Sequence, residues 1–289
     1  MAEESPKTYH GNCHCGAFIF ELTSPEIKTV FECNCSICSK KGYAWLFPGA
    51  DNFKPVKGDV KDLTEYTFND GNYIHRFCAT CGTPVMAFSK IFPPEKNTAV
   101  NARAIQDLDL WSLGSHGFDG AALDPKYKPP AYTGPEPSAE IDGAKTYHGS
   151  CHCGDVKVAV KVKPLDTWRR EVEEERVIDC NCSICQRGAY VWIYPSKEQV
   201  AIEGEENMTN YSFANKIGRK GFCKKCGVHI VNDVNMPPDG QEIEPWRERF
   251  MKVRPITLRI LNDFDYKVLQ DRTRKEDGWK DLEPQYVNP

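Results

Sequence analysis

The 289-residue chain has no long apolar run. No stretch approaches the roughly 18 apolar residues that suggest a membrane-spanning helix. It also lacks a basic N-terminal region followed by an apolar segment. Met1-Ala2-Glu3-Glu4-Ser5-Pro6-Lys7 therefore does not read as a secretory leader. A cytoplasmic chain with no membrane partner is the expectation. Excess positive charge is missing too: 37 Lys and Arg stand against 41 Asp and Glu, interspersed, for a net charge of −4. A nucleic-acid partner would need a basic face, so none is expected. The run from Arg169 to Arg176, charged at nearly every position, reads as a solvated insertion. Helical periodicity is weak elsewhere, which leaves strand as the dominant signal.

What the chain has is cysteine. Its fourteen cysteines form two sets of seven with the same punctuation. The first set is Cys13-His14-Cys15-Gly16, Cys33-Asn34-Cys35-Ser36-Ile37-Cys38 and Cys78-Ala79-Thr80-Cys81-Gly82. The second is Cys151-His152-Cys153-Gly154, Cys180-Asn181-Cys182-Ser183-Ile184-Cys185 and Cys223-Lys224-Lys225-Cys226-Gly227. In a reducing compartment, paired cysteines bind metal more often than they form disulfides. A closed structural zinc site takes four ligands, while a reactive one keeps a position open. Seven thiolates divide naturally into four and three, so each half has ligands for up to two zinc ions.

The repeat extends past the cysteines. Tyr9-His10-Gly11-Asn12 matches Tyr147-His148-Gly149-Ser150, and Trp45-Leu46-Phe47-Pro48 matches Trp192-Ile193-Tyr194-Pro195. Tyr66-Thr67-Phe68 matches Tyr211-Ser212-Phe213. Two repeats of this size are duplicated domains. The boundaries expected are 1–124 and 144–289, joined by a Pro- and Gly-rich linker over 125–143. The second half carries two insertions, around Arg169 to Glu175 and near Met236 to Phe250. Ala17 to Leu22 and the alternating Val156 to Val162 read as strands, as do the aromatic runs Ala44 to Pro48 and Tyr190 to Pro195. The fold expected is mainly β: two small antiparallel domains built around metal.

A Cys-x-x-Cys pair followed by Gly is a zinc knuckle, because the tight turn aims both sulfurs at one ion. Cys78 and Cys81 form one, Cys223 and Cys226 another. Cys13 with Cys15, and Cys151 with Cys153, offer the partners for a four-sulfur site. The compact triplets Cys33, Cys35, Cys38 and Cys180, Cys182, Cys185 then remain, each able to cap one face of a metal. Spacing alone also permits a triplet to be completed by a knuckle cysteine or by a nearby histidine. His14 and His152 lie between ligands, but in an extended Cys-His-Cys segment their side chains point away from both sulfurs.

The order Gly-x-Cys-x-Cys-Gly, Cys-x-Cys-x-x-Cys, Phe-Cys-x-x-Cys-Gly resembles the family of glutathione-dependent formaldehyde-activating enzymes and centromere protein V. Asn-Cys-Ser-Ile-Cys followed by Lys40-Lys41 is especially similar to the centromere protein V branch. The resemblance covers both halves. It implies an Mss4-like fold, and it implies the outer pairs as the structural zinc ligands with the middle triplet reactive. The activity implied is carbon–sulfur lyase chemistry, making S-hydroxymethylglutathione from formaldehyde and glutathione or reversing that step through a zinc-bound thiolate. Glutathione or another small thiol adduct is then the expected partner. Phe118-Asp119-Gly120 resembles a terminal family motif with no clear equivalent in the second half. Cys226-Gly227-Val228-His229 departs from the Cys-Gly-Thr-Pro pattern kept at Cys81. Lys40, Lys41 and Arg187 follow the triplets and are candidates to bind substrate carboxylates. Tyr66 and Tyr211, at equivalent places, are candidate proton donors. Tyr43, Trp45, Tyr190 and Trp192 are candidates to line the pocket. The competing reading is a non-catalytic zinc module in which all metals are structural and the surface binds a protein.

Overall fold

The computed structural model describes residues 5–235, 245–281 and 283–289. Most of the second insertion, Met236 to Glu244, lies outside the described residues. The chain divides into two units. The first comprises residues 1–127 with 186–189 and 287–289; the second comprises 128–185 and 190–286. The segment from 128 to 143 groups with the second unit: Tyr132 stacks on His148, Thr133 binds Glu203, and Ala139 donates to the Glu198 carbonyl.

In the first unit the strands are β1 (Lys7–Asn12), β2 (Ile19–Ser24), β3 (Thr29–Cys33), β4 (Trp45–Leu46) and β5 (Phe53–Lys57), followed by β6 (Thr64–Tyr66), β7 (Tyr73–Phe77), β8 (Pro84–Ser89), β9 (Thr98–Asn101) and β10 (Gly114–Phe118). A short helix, α1 (Ser36–Lys41), follows β3. One sheet has the order β1-β2-β5 and the other β10-β3-β4-β9-β8-β7-β6. The second unit repeats this plan. Its strands are β11 (Lys145–Ser150), β12 (Lys157–Val162), β13 (Ile178–Cys180), β14 (Val191–Ile193) and β15 (Val200–Glu203), then β16 (Met208–Tyr211), β17 (Gly218–Cys223), β18 (His229–Val234), β19 (Ile256–Thr257) and β20 (Arg274–Glu276), with α2 (Ser183–Gly188) after β13, its residues from Gln186 onward grouping with the first unit. Its sheets run β11-β12-β15 and β20-β13-β14-β19-β18-β17-β16, strand for strand the order of the first unit.

The fold is mainly β, as the alternation implies, with one departure from a purely antiparallel plan. In each large sheet the last strand pairs in parallel, β10 with β3 and β20 with β13. A second departure is the charged insertion. It forms no α-helix: Arg170 and Glu171 turn, closed by the Val172 amide on the Arg169 carbonyl, Glu173–Glu175 make a single 3-10 turn, and Glu173 pairs with Arg274, Arg249 and Arg176. These cations come mostly from distant segments, so no helical face is needed to satisfy the acidic run.

Alternation fills the core. Val156, Val158, Val160 and Val162 are buried, while Lys157 and Lys161 on the other face of β12 are partly exposed. Each such valine contributes about 1.5–3 kcal/mol of burial. The repeated Tyr9 and Tyr147 owe their place to a hydrogen bond as well as to packing. Tyr9 Oη accepts from the Ile27 amide at 3.0 Å and Tyr147 Oη from the Leu165 amide at 2.9 Å. Each closes the segment leaving the second strand of its small sheet. No helix of the described residues is long and apolar enough to cross a membrane.

Candidate metal centres

Two turns build the first four-sulfur group. Cys13 and Cys15 sit in the β1–β2 turn, Cys78 and Cys81 in the β7–β8 turn. Cys13 Sγ lies 3.6 Å from Cys15 Sγ, which lies 3.6 Å from Cys78 Sγ. In the second unit the corresponding separations are 3.5 Å for Cys151–Cys153 and 3.6 Å for Cys153–Cys223. A tetrahedral ion with metal–sulfur bonds of about 2.3 Å puts its sulfurs about 3.8 Å apart. The donor set therefore fits zinc in size and chemistry. Gly82 and Gly227 close their knuckles at φ +72° and +69°, a region that glycine enters without strain. Backbone amides support the sulfurs: Phe18 donates to Cys13 Sγ at 3.2 Å and Val156 to Cys151 Sγ at 3.3 Å.

Cys13-His14-Cys15 turns rather than running extended, which corrects the strand-face argument made for His14 and His152. Two sulfurs two residues apart reach one ion only if the chain bends between them. Both histidines are buried, and neither belongs to a metal-competent group among the described residues. The His14 amide donates to Thr83 Oγ1 at 3.1 Å, and that hydroxyl lies 3.2 Å from Cys81 Sγ.

The triplets form separate groups. Cys33 ends β3, Cys35 caps α1 without a side-chain bond of its own, and Cys38 lies within the helix. The helix was not legible in the sequence. Cys180, Cys182 and Cys185 take the same places around β13 and α2. Within each triplet the sulfurs lie within 4.8 Å of one another, and no fourth His, Cys, Asp or Glu of the described residues joins them. All fourteen cysteines are free thiols.

The two triplets differ electrostatically. Hydrogen bonds from Cys35 and Cys38 hold the Cys33 thiol down to about 3. Cys35 is pushed up to about 11 by its bond to Cys33 and by burial. In the second triplet no thiol is lowered. Cys182 rises to about 11, from its bond to Cys180 and from burial. At Cys185 the bond with Cys180 works downward, but the bond with Cys182 and burial outweigh it and the thiol reaches about 12. Cys180, Cys182 and Cys185 are all buried, whereas Cys33 and Cys35 are partly exposed.

An aromatic stack backs each triplet. Tyr43 stacks on Trp45 at 3.9 Å and Tyr190 on Trp192 at 4.2 Å. Each indole N–H donates to the last sulfur of its triplet, Trp45 to Cys38 and Trp192 to Cys185, both at 3.4 Å. The repeated tryptophans thus serve both the core and the sulfurs. Tyr211 and Phe213 pack against the cluster formed by the second triplet, Tyr190 and Trp192. Tyr66 is buried, lies opposite His75 in the β6–β7 register and stacks on Phe68.

Lys40, Lys41 and Arg187 are all buried. Lys41 Nζ lies 4.4 Å from the centre of the Phe77 ring and 5.8 Å from that of Tyr43. Arg187, within the first unit, donates to the Asn12 carbonyl at 3.0 Å and to Asn12 Oδ1 at 2.9 Å.

The terminal motif has a counterpart in the second unit that sequence reading missed. The Asn34 amide donates to the Phe118 carbonyl, its side chain donates to Asp119 Oδ1 at 2.8 Å, and the Ala121 amide donates back to Asn34 Oδ1 at 2.8 Å. Asn181 repeats these bonds with the Glu276 carbonyl, with Asp277 Oδ1 at 2.9 Å and with the Trp279 amide at 3.3 Å. Glu276-Asp277-Gly278 therefore stands where Phe118-Asp119-Gly120 does. The available signal was the repeated Asp-Gly after an Asn-Cys in each half.

Comparison with known proteins places these features. The sequence profile of the family described as glutathione-dependent formaldehyde-activating enzyme matches residues 8–112 and again 146–244. A crystal structure of a Rhodobacter sphaeroides protein is similar at 21% identity and a TM-score of 0.32, covering 42% of this chain and 94% of its own.

Proposed function

This chain belongs to the glutathione-dependent formaldehyde-activating enzyme family, and from that premise we propose that it is a zinc-dependent carbon–sulfur lyase or transferase acting on a glutathione-type thiol adduct at its three-cysteine sites. The observation that carries the reading is the division of each set of seven thiols into a group of four and a group of three. A zinc ion held by three thiolates supplies an open coordination position that accepts a further thiol and lowers its pKa. The four-sulfur groups would hold structural zinc.

The chain's own residues have separable tasks. The Trp45 and Trp192 indoles steady charge on the last sulfur of each triplet. Adduct formation makes a carbon–sulfur bond as the carbonyl π pair moves to oxygen, which takes up one proton. The reverse step breaks that bond and returns the proton. Tyr66 and Tyr211 are assigned that proton, a general acid–base role worth roughly 10²–10⁴-fold in rate. Tyr211 packing against the second cluster supports this. Lys40 and Lys41 are assigned to the substrate carboxylates; Arg187 is the weakest of the three, because its guanidinium already serves Asn12. A reducing, cytoplasmic setting suits fourteen free thiols.

The test is turnover of S-hydroxymethylglutathione. Cys35→Ala with Cys182→Ala should abolish it while the circular dichroism of the β units is retained. Full activity in the double variant would refute the proposal.

A further inference from the structure

The two units place a lysine on the same tyrosine from different elements. Lys41, three residues after Cys38, lies on Tyr43 and Phe77. Its counterpart, three residues after Cys185, is Gly188, which has no side chain to offer. In the second unit the cation comes instead from β17. Lys220 Nζ lies 4.8 Å from the centre of the Trp192 ring and 5.6 Å from that of Tyr190. Two registers fix the equivalence of the strand positions. His75 and Lys220 each stand three residues before the knuckle's first cysteine, and they lie opposite Tyr66 and Tyr211 respectively. So a Lys–His pair in the first unit is exchanged for a Gly–Lys pair in the second, and one lysine beside the stacked Tyr–Trp pair is kept.

Packing does not require this. Withdrawing an ammonium group from water is costly, and neither a glycine nor a histidine at these positions prevents the stack from forming. A cation–ring contact returns only part of that cost. What the exchange conserves is a positive charge on the rings that back the triplet, next to the indole that binds its last sulfur. Lys220 is only partly buried, and an ammonium has three donors to share between rings and a ligand.

Resting on the open-site reading above, we propose that Lys220 is the specificity-determining residue of the second three-cysteine site, binding the carboxylate of a thiol substrate in the role that Lys41 fills in the first. Arg187, whose guanidinium is engaged with Asn12, is less able to take that role.

The experiment uses the full chain carrying Cys35→Ala, loaded with cobalt, so that thiol-dependent absorption reports on Cys180, Cys182 and Cys185. The probes are 3-mercaptopropionate and its methyl ester, which differ in one negative charge. Lys220→Met should weaken the acid roughly tenfold, the scale of one charged hydrogen bond, and change the ester by less than about twofold. Lys220→Arg should restore most of the acid's affinity. Equal weakening of acid and ester would mean a structural role and overturn the proposal, as would no weakening of either. Ester binding by Lys220→Met shows that the variant is folded. If the ester gives no thiolate-to-cobalt band even before Lys220 is changed, the open-site reading falls, and the assignment of Lys220 falls with it.

Discussion

Replacing Cys81 by serine tests the four-sulfur group of the first unit. Cys81 is fully buried, and its group ties the β1–β2 turn to the β7–β8 turn through Cys15 and Cys78, 63 residues apart. Treated as a cross-link, closing a loop of that length removes about 4 kcal/mol of unfolded-state entropy. That is a large share of the roughly 5–15 kcal/mol that stabilises a whole domain. Structural zinc itself contributes about 10–16 kcal/mol of apparent binding energy in small zinc domains, so losing it exceeds the cross-link term. Cys81→Ser should therefore release one zinc per chain and lower the melting transition of the first unit by at least on the order of 15 °C. Metal analysis after desalting, with calorimetry on the same sample, measures both. Unchanged zinc content and an unchanged transition would refute the assignment of Cys13, Cys15, Cys78 and Cys81 to a folding metal.

Mild chelation should remove metal from the triplets first, leaving the circular dichroism intact, because three thiolates with an exchangeable fourth ligand hold an ion less tightly than four fixed ones. Loss of all metal in one step with the fold would contradict this. Gly120→Ala should weaken metal binding at the first triplet, since a Cβ there would stand 2.5 Å from Cys33 Sγ and 3.0 Å from Cys35 Cβ. Displacing that sulfur by a few tenths of an ångström should cost roughly tenfold in zinc affinity, on the scale of a lost outer contact; equal affinities in competition titration would show that the turn yields instead.

The repeat, the strand-rich architecture and the grouping of cysteines along the chain were legible because they are local. Alternation in Val156 to Val162 and the Cys-x-x-Cys-Gly knuckles each speak for themselves within a few residues. The helices α1 and α2 were not legible. Each has six residues, less than two turns, and Cys35 offers no capping bond to mark a start. The burial of Lys40, Lys41 and Arg187 was hidden for another reason. Such residues are almost never fully buried unless paired, and their partners lie far along the chain, Phe77 for Lys41 and Asn12 for Arg187. The parallel strands β10 and β20 escaped for the same reason, since each pairs with a strand from the far end of its unit. Lys220 escaped because its role depends on register with Tyr211 and on the rings of Tyr190 and Trp192, none of which a cysteine pattern records.

The central claim is that the triplets, and not the four-sulfur groups, accept a substrate thiol. Cobalt substitution followed by glutathione titration tests it most directly. A new thiolate-to-cobalt absorption should appear, saturate, and be lost when both Cys35 and Cys182 are replaced by alanine. An intact, cobalt-loaded protein whose spectrum glutathione leaves unchanged would contradict it and favour a wholly structural role for the metals.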